Sequence, residues 1–296
     1  MAETQKGGIP MNIKLYQTPG EFLEENRAFL REHEAVCQLN IGNASANRDE
    51  PCHPGLLFGR CEEEGRGVLL FGNTLPWNLC LNAIPGDVAA LSAAVLLAEY
   101  LQRESIQITG VNASKALCSA FFSAYNKPYR VRVGMDIMVQ KELIEPPAVS
   151  GNVRKANLAD LEIAADWACA FQKEALHDDA DPAEMREKFR GTIQEGKVYL
   201  MEAPDGALVS MAAATARSMP HGVGISWVYT PPEHRGKGYC QNTVAAICRE
   251  ALRDGYDYCT LFVDKANPIS NRVYQKIGFE IIEDNFDCRL VKDERK

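Results

Sequence analysis

Residues 228–240 read VYTPPEHRGKGYC and lie between an apolar, strand-like segment and an amphipathic, helix-like one. Gly236 and Gly238 leave out side chains in a turn where a backbone could approach a bulky anion closely. The helix that follows would present unpaired N–H groups and the positive end of its dipole. This pattern predicts a phosphate-binding loop, and Arg235 and Lys237 would add positive charge to it.

The glycines alone do not decide the matter, because a solvated turn that opens a helix would show the same pattern. The run is neither the Walker loop GxxxxGK followed by Ser or Thr, nor the dinucleotide fingerprint GxGxxG. The phosphate carrier would therefore be of another kind.

A second motif, NPISNRVYQKIGF, occupies residues 267–279. Asn267 stands as a helix N-cap, Pro268 at the first helical position and Gly278 at the C-terminal cap, and these signals together predict a short helix. The apolar run CTLFVD at 259–264 lies between the two motifs and is typical of a buried strand.

The two motifs together resemble the GNAT superfamily of acyl-CoA N-acyltransferases, in its FR47-like branch. The family signature is Arg or Gln, two residues, Gly, one residue, then Gly or Ala. Arg235 and Gly238 match that signature, and Cys240 stands where the family prefers Gly or Ala. Tyr274 corresponds to the tyrosine of the second family segment. The resemblance covers residues 150–296 well and extends to 1–145 only as a topology.

The resemblance implies acetyl-CoA as co-substrate and direct attack of a primary amine on its thioester through a tetrahedral intermediate. Backbone groups of Val228, Tyr229 and Thr230 would pair with the pantetheine arm and, near Val228, stabilise the oxyanion. The remaining residues expected to bind the cofactor are Arg235, Gly236, Lys237, Gly238, Tyr239, Cys240, Asn267 and Asn271.

Tyr274 is the expected catalytic acid, which would protonate the departing CoA thiolate. An aromatic that only packs a short helix onto the sheet is the alternative. No motif identifies a base. The candidates are Ser226, Asp264, Glu174 and Asp178, each of which could equally be structural or solvated.

The acceptor is a small-molecule or protein amine. Its pocket is expected near residues 172–185, where acidic residues would suit a cationic amine, although an exposed acidic loop would also explain them. These residues are Glu174, Asp178, Asp179, Asp181 and Glu184. Two alternatives stay open: a longer-chain or glycine-type N-acyltransferase, and a non-catalytic CoA sensor.

The expected fold class is α/β (α+β), with two tandem GNAT-like domains, each a mixed, twisted sheet flanked by helices on both faces. The catalytic domain would span 153–296 after a proline-containing linker at 146–152, and 1–145 would be a degenerate domain. Where the phosphate loop should stand, this first domain has LNAIPGDVAALS, with an aspartate that would repel phosphate. We therefore expect the first domain to bind no CoA.

Patterns along the chain predict similar orders of elements in the two halves. In the first half, strands are expected at 56–63, 67–73, 77–83, 106–111 and 129–140, with helices at 88–103 and 114–125. In the second half, strands are expected at 153–157, 197–203, 207–218, 222–230 and 259–264 and near 279–283 and 286–292, with helices at 158–175, from 182, at 238–253 and at 267–278. An internal duplication would explain this repetition.

Composition narrows the class of protein. Residues 1–150 hold 13 Lys and Arg against 17 Asp and Glu, and residues 151–296 hold 19 against 23, so each half carries a charge of −4. Neither half shows the basic signature of nucleic-acid binding. The sequence shows no membrane-spanning run. Its ten scattered cysteines indicate reduced thiols rather than a metal site or disulfides. We therefore expect a cytoplasmic protein. The oligomeric state is left open.

Overall fold

The computed structural model describes residues 11–84, 86–176, 178–215 and 219–291. Contacts divide the chain into two units. Unit 1 takes in the described residues up to Gly134 and those from Glu283 onward, and unit 2 is Met135–Ile282. Unit 1 combines two separate stretches of the chain, so no single boundary divides the two units. The predicted domain bounds stay a prediction. None of the helices described is long and apolar enough to cross a membrane.

Unit 1 is a sheet of strands in the order β1, β2, β3, β4, β5, β12, with the pairs antiparallel except β4 with β5. Its elements are β1 (Met11–Leu15), α1 (Pro19–Glu25), α2 (Arg27–Glu32), α3 (Glu34–Ala46), β2 (Leu56–Glu63), β3 (Arg66–Thr74), β4 (Leu79–Asn82), α4 (Val88–Arg103), β5 (Gly110–Ala113), α5 (Lys115–Ala124) and the start of β6 (Tyr129–Gln140), together with the end of β12 (Glu280–Leu290). The core joins α4 and α5 to the sheet through side chains such as Phe71, Leu97 and Phe121.

Unit 2 is a sheet in the order β6, β11, β10, β9, β8, β7, again antiparallel except for the pair β10 and β11. Its elements are β7 (Asn152–Lys155), α6 (Leu161–Leu176) after a 3₁₀ turn, α7 (Pro182–Gln194), β8 (Val198–Glu202), β9 (Leu208–Ala214), β10 (Gly222–Tyr229), α8 (Tyr239–Arg253), β11 (Tyr258–Asp264) and α9 (Pro268–Gln275). Val244, Ile247 and Ile277 bring α8 and α9 into the core.

The order of elements repeats along the chain, as the sequence predicted. The run β2, β3, β4, α4, β5, α5, β6 is matched by β8, β9, β10, α8, β11, α9, β12. In each run, the strands before and after the long helix pair in parallel. The last strand of each run completes the other sheet: β6 pairs with β11 through Met135–Gln140, and β12 pairs with β5 through Phe286–Arg289. These sheets and helices confirm the predicted α/β class.

Three details of the sequence prediction need correction. The two strands expected near 279–283 and 286–292 are one strand, β12, up to residue 290, and residue 292 lies outside the described residues. Asn285, in the gap between the two expected strands, is buried inside β12. The strand expected at 106–111 begins only at Gly110. The strand expected at 207–218 ends at Ala214, and residues 216–218 lie outside the described part.

Candidate active site

The carboxyl ends of β10 and β11 form a fork. Among the described residues, parallel pairing ends at Ile225 with Leu261, although β10 continues to Tyr229 and β11 to Asp264. Beyond this point β10 carries a bulge. Between two successive register pairs with β9, two residues of β10 lie opposite one residue of β9. Such a bulge bends its strand and increases the local twist. The fork places the predicted pantetheine-binding residues Val228 and Tyr229 on a strand end that leaves its parallel neighbour.

Trp227, in the bulge, has a φ of 54°, which is uncommon for a residue with a bulky side chain. Its ring contacts Phe171 and Phe189, each with a centroid distance of 5.5 Å, and the Lys188 ammonium lies 4.5 Å from the ring centroid. Packing on several sides holds the strained backbone in place. The bulge is therefore a fixed part of the fold.

The predicted phosphate loop turns through two glycines in the left-handed region, Gly236 with φ 77° and Gly238 with φ 83°. Gly238 is the N-cap of α8, and no described side chain caps that helix start with a hydrogen bond. A Cβ atom at Gly238 would lie 3.0 Å from Cγ1 of Val149. A side chain at this position would meet both the left-handed backbone angle and a close contact with Val149. The first N–H groups of α8 are left to an external acceptor such as a phosphate.

The two cations of the loop are held by the protein itself. Nε of Arg235 donates to the carbonyl of Thr230 at 2.8 Å, and its Nη2 lies 2.6 Å from Oε2 of Glu174. Nζ of Lys237 donates to the carbonyl of Glu233 at 3.1 Å. Arg235 thus braces the loop against the end of β10 and against α6. The predicted contacts of Arg235 and Lys237 with phosphate stay a prediction.

The second motif is built as a capped turn after β11. Oδ1 of Asn267 accepts from the Ser270 N–H at 3.1 Å, and Nδ2 of Asn271 donates to the carbonyls of Asp264 and Asn267 at 3.0 Å each. These bonds fix α9 to the end of β11. Both asparagines have a structural task in the protein, and their predicted contact with the cofactor is untested.

Tyr274 lies inside unit 2 with 7% of its surface exposed, and its ring packs edge-on against Phe279 at 6.0 Å. Its hydroxyl makes no hydrogen bond to the described residues. Burial raises the pKa of Tyr274 well above its usual value, and the nearby Cys240 contributes in the same direction. Burial also raises the pKa of the Cys240 thiol to about 12. Both groups are protonated at neutral pH, so Tyr274 keeps a proton that it can donate.

An aromatic and acidic cluster lies between α6 and the end of β10. Oε1 of Glu174 accepts from the Tyr229 hydroxyl at 3.0 Å, and the Tyr229 ring lies 6.1 Å from that of Trp167. Burial raises the pKa of Tyr229, and its bond to Glu174 adds to the effect. Trp167 and Phe171 lie in the helix that the sequence predicted at 158–175, but the sequence analysis gave them no part in the site. The spacing of Trp167, Phe171 and Glu174 on one helix face was the signal that could have revealed the cluster.

The structure brings Glu174 to the end of β10 but gives other acidic candidates other tasks. Asp181 caps α7 by accepting from the N–H groups of Ala183 and Glu184. Asp179 is exposed and lies 4.0 Å from Lys173.

Among the base candidates, Oδ1 of Asp264 accepts from Ala266 N–H at 2.8 Å. Ser226 has a buried hydroxyl without a partner in the part of the chain described. The described residues hold no group of three or more His, Cys, Asp or Glu that could bind a metal ion.

Comparison with known proteins agrees with this geometry. A family model described as acetyltransferase (GNAT) family matches residues 161–279. No curated protein sequence matches the chain at a significant level.

Solved structures share the fold over nearly the whole chain. A Drosophila protein has 14% identity over 94% of this chain and 98% of its own, with a TM-score of 0.62. A GCN5-related N-acetyltransferase from Sphaerobacter thermophilus has 15% identity over 95% and 96%, with a TM-score of 0.58. A tandem GNAT protein from the clavulanic acid biosynthesis pathway has 14% identity over 94% and 97%, with a TM-score of 0.52. Residues 161–279 thus form a domain of the acetyltransferase (GNAT) family, and the solved structures share the fold of nearly the whole chain.

Proposed function

We propose that the protein transfers the acetyl group of acetyl-CoA to a primary amine that is cationic in solution. The observation that carries the proposal is the uncapped start of α8 beside the fork of β10 and β11. A phosphate-bearing ligand needs the free N–H groups, and an extended arm needs an unpaired strand end. The names of solved structures with the same fold, among them N-acetyltransferases, support acetyl as the group transferred.

Each part of unit 2 would have one task. The loop glycines and the first N–H groups of α8 would hold the pyrophosphate, and backbone groups of Val228, Tyr229 and Thr230 would align the pantetheine arm. Acetyl-CoA, when bound, supplies the thioester that the amine attacks. Tyr274 would give its phenolic proton to the departing sulfur. Its raised pKa ensures that this proton is present throughout the neutral range.

Glu174 is the group that we assign to the acceptor. Glu174 is one of the acidic residues predicted near the acceptor pocket, and it contacts the end of β10 by accepting from the Tyr229 hydroxyl. Trp167 and Tyr229 add aromatic faces, which attract cations. An approaching ammonium group could replace Arg235 as the partner of the Glu174 carboxylate. The acceptor would thus combine a positive charge with a body that packs on aromatic rings.

The test is an amine panel assayed with acetyl-CoA and with longer acyl-CoA thioesters, with detection of released CoA thiol. We expect turnover with cationic primary amines and acetyl-CoA. Glu174→Gln should raise KM for the amine about tenfold, because it removes one charge-assisted contact. The matched control Asp179→Asn alters an acidic side chain that is 93% exposed and should leave KM unchanged.

Two results would contradict the proposal. Binding of acetyl-CoA without thiol release for any amine would favour a CoA sensor. Faster turnover with a longer acyl-CoA would favour the longer-chain or glycine-type N-acyltransferase.

We also place the protein in the cytoplasm. All ten cysteines are free thiols, as suits a reducing compartment.

A further inference from the structure

Unit 1 holds a cavity of about 590 Å³ at the carboxyl ends of its parallel strands. The pair β4 and β5 is in register at Leu79 with Val111 and at Cys80 with Asn112. The cavity begins where these strands end and reaches the first turns of α4 and α5. Its volume is in the range of small-molecule sites. The acyl-transfer chemistry assigned to unit 2 makes no use of it.

Asn285 is the feature of this cavity that points to a ligand. The residue lines the cavity and is only 4% exposed, and its side-chain oxygen has no hydrogen-bond partner in the described part of the chain. A buried polar atom without a partner costs stability, and native proteins rarely leave one without a reason. A ligand that donates a hydrogen bond to Asn285 would remove this cost.

The neighbouring charges favour a cationic donor. Glu283 and Asp284 precede Asn285 on β12 and line the same cavity, whereas Lys115 is an exposed cation at its edge. Oδ1 of Asp284 accepts from the Lys115 N–H at 3.0 Å, which leaves its second oxygen for a ligand. The Oε1 atom of Glu283 accepts from the Asp284 N–H at 3.1 Å.

An anionic ligand is disfavoured at the same place. Asp87 also lines the cavity, and its carboxylate already occupies the start of α4, where it accepts from the Ala89 N–H at 3.0 Å and bonds Arg66 at 2.8 Å. Ser114 caps α5. At both helix starts, side chains of the protein thus already accept from N–H groups that would attract a phosphate.

The remaining walls are apolar. Leu81 and Leu117 are buried residues of the unit 1 core that face the cavity, and Val88 and Leu91 extend the apolar surface along α4. Such walls suit a hydrocarbon body rather than a polar one.

We propose that unit 1 binds a primary amine with an apolar body. Its ammonium group donates to Asn285 and lies beside Glu283 and Asp284, and its body packs against Leu81 and Leu117. The site is separate from the acyl-transfer machinery assigned to unit 2.

Hexylamine, a cation at pH 7, is the probe, and hexanol and hexanoate are its matched comparators. Binding is measured by calorimetry on the full chain saturated with CoA. We expect hexylamine to bind at least about tenfold more tightly than hexanol, and hexanoate to bind least, because hydrogen bonds to charged groups are the stronger ones.

Two variants test the location. Asn285→Leu keeps the size of the side chain and removes the acceptor, and Ala116→Phe fills the cavity from an exposed position on α5. Each should weaken hexylamine binding at least about tenfold. Thermal unfolding of both variants checks that the fold is kept. Asp179→Asn, which alters an exposed side chain of unit 2, is the control and should leave this binding unchanged.

The proposal is overturned if hexanol binds as tightly as hexylamine, if hexylamine does not bind, or if neither cavity variant weakens binding. A loss in Glu174→Gln alone would place the amine in unit 2. Acetyl transfer is measured separately in the cavity variants, so failure of this site is distinguishable from failure of the proposed function.

Discussion

The starts of α4 and α8 occupy the same place in the two repeated runs but are built differently. Both helices follow a strand that pairs in parallel, and both bury an apolar face against their sheet. At α4, Asp87 caps the first turn with its own carboxylate. At α8, Gly238 takes a left-handed conformation, and no described side chain caps the first turn.

The difference shows how one fold can carry two tasks. A side-chain N-cap stabilises a helix by about 1 kcal/mol. Unit 1 has this stabilisation because the Asp87 carboxylate accepts from the Ala89 N–H, and a negative charge at this place would repel a phosphate. In unit 2 no described side chain caps α8, and we propose that its first N–H groups serve a ligand. If this proposal holds, a few residues of one loop, rather than the sheet, separate the two units in function.

The largest expected effect comes from giving α8 the cap of α4. Gly238→Asp places a carboxylate at the phosphate loop, and we expect CoA affinity to fall at least about 100-fold by calorimetry, through repulsion and backbone strain. Gly238→Asn is the matched control, since asparagine has the same shape without the charge and tolerates a left-handed backbone. It should bind CoA more tightly than the aspartate variant. Equal affinities for the two variants would mean that charge does not separate the two helix starts.

The next effect concerns Tyr274, the proposed acid of unit 2. Tyr274→Phe should lower kcat about 100-fold, because general acid catalysis usually contributes at least that much, and should leave acetyl-CoA affinity nearly intact. Because the hydroxyl makes no hydrogen bond to the described residues, its loss should alter stability little. Tyr256→Phe, on a tyrosine packed against the same core, is the control. Unchanged turnover in Tyr274→Phe would remove this residue from the mechanism.

A smaller effect is expected at α4. Asp87→Ala should lower the free energy of unfolding by about 1 kcal/mol, the value of a lost N-cap, as measured by chemical denaturation. The exposed Asp49→Ala is the control and should change the free energy of unfolding little.

CoA titration of the wild-type protein should give one site per chain. A second CoA site in the wild type would show that the capped start of α4 does not exclude phosphate.

The smallest effect is expected at Cys240, where the loop departs from the family signature. Cys240→Ala should change CoA affinity by less than about threefold, since both side chains are small. A pKa of about 12 leaves roughly one thiol in 10⁵ ionised at pH 7. The thiol stays neutral below that pKa, so iodoacetamide labelling of the Cys240 peptide, followed by mass spectrometry, should keep rising with pH beyond pH 10. A plateau near pH 8 would contradict this.

Much of the fold could be predicted because local signals agreed with packing. The bounds of α4 coincide with the prediction, since an Asp cap precedes a clear apolar period. The bounds of β6 coincide as well. The sequence supported no prediction for α3, whose helical face buries Asn40 together with Cys37 and Ile41 and so shows weak periodicity.

Other features could not be predicted because they depend on contacts between distant residues. An apolar strand can pair at either of two sheet edges, so the crossing of β6 and β12 between the runs has no local signal. The contact between Glu174 and Tyr229 joins residues that are far apart in sequence. The lack of a partner for the Asn285 side-chain oxygen among the described residues depends on the cavity beside it.

The sequence by itself determined the glycine turn before α8, the short capped helix and the repeated order of elements, because backbone angles, caps and periodicity are local properties. Only the tertiary structure decided that Arg235 braces the loop on Glu174, that burial raises the pKa of Tyr274, and that unit 1 has a cavity at the carboxyl ends of β4 and β5. Burial and electrostatic environment arise from packing between segments, and no single segment contains that information.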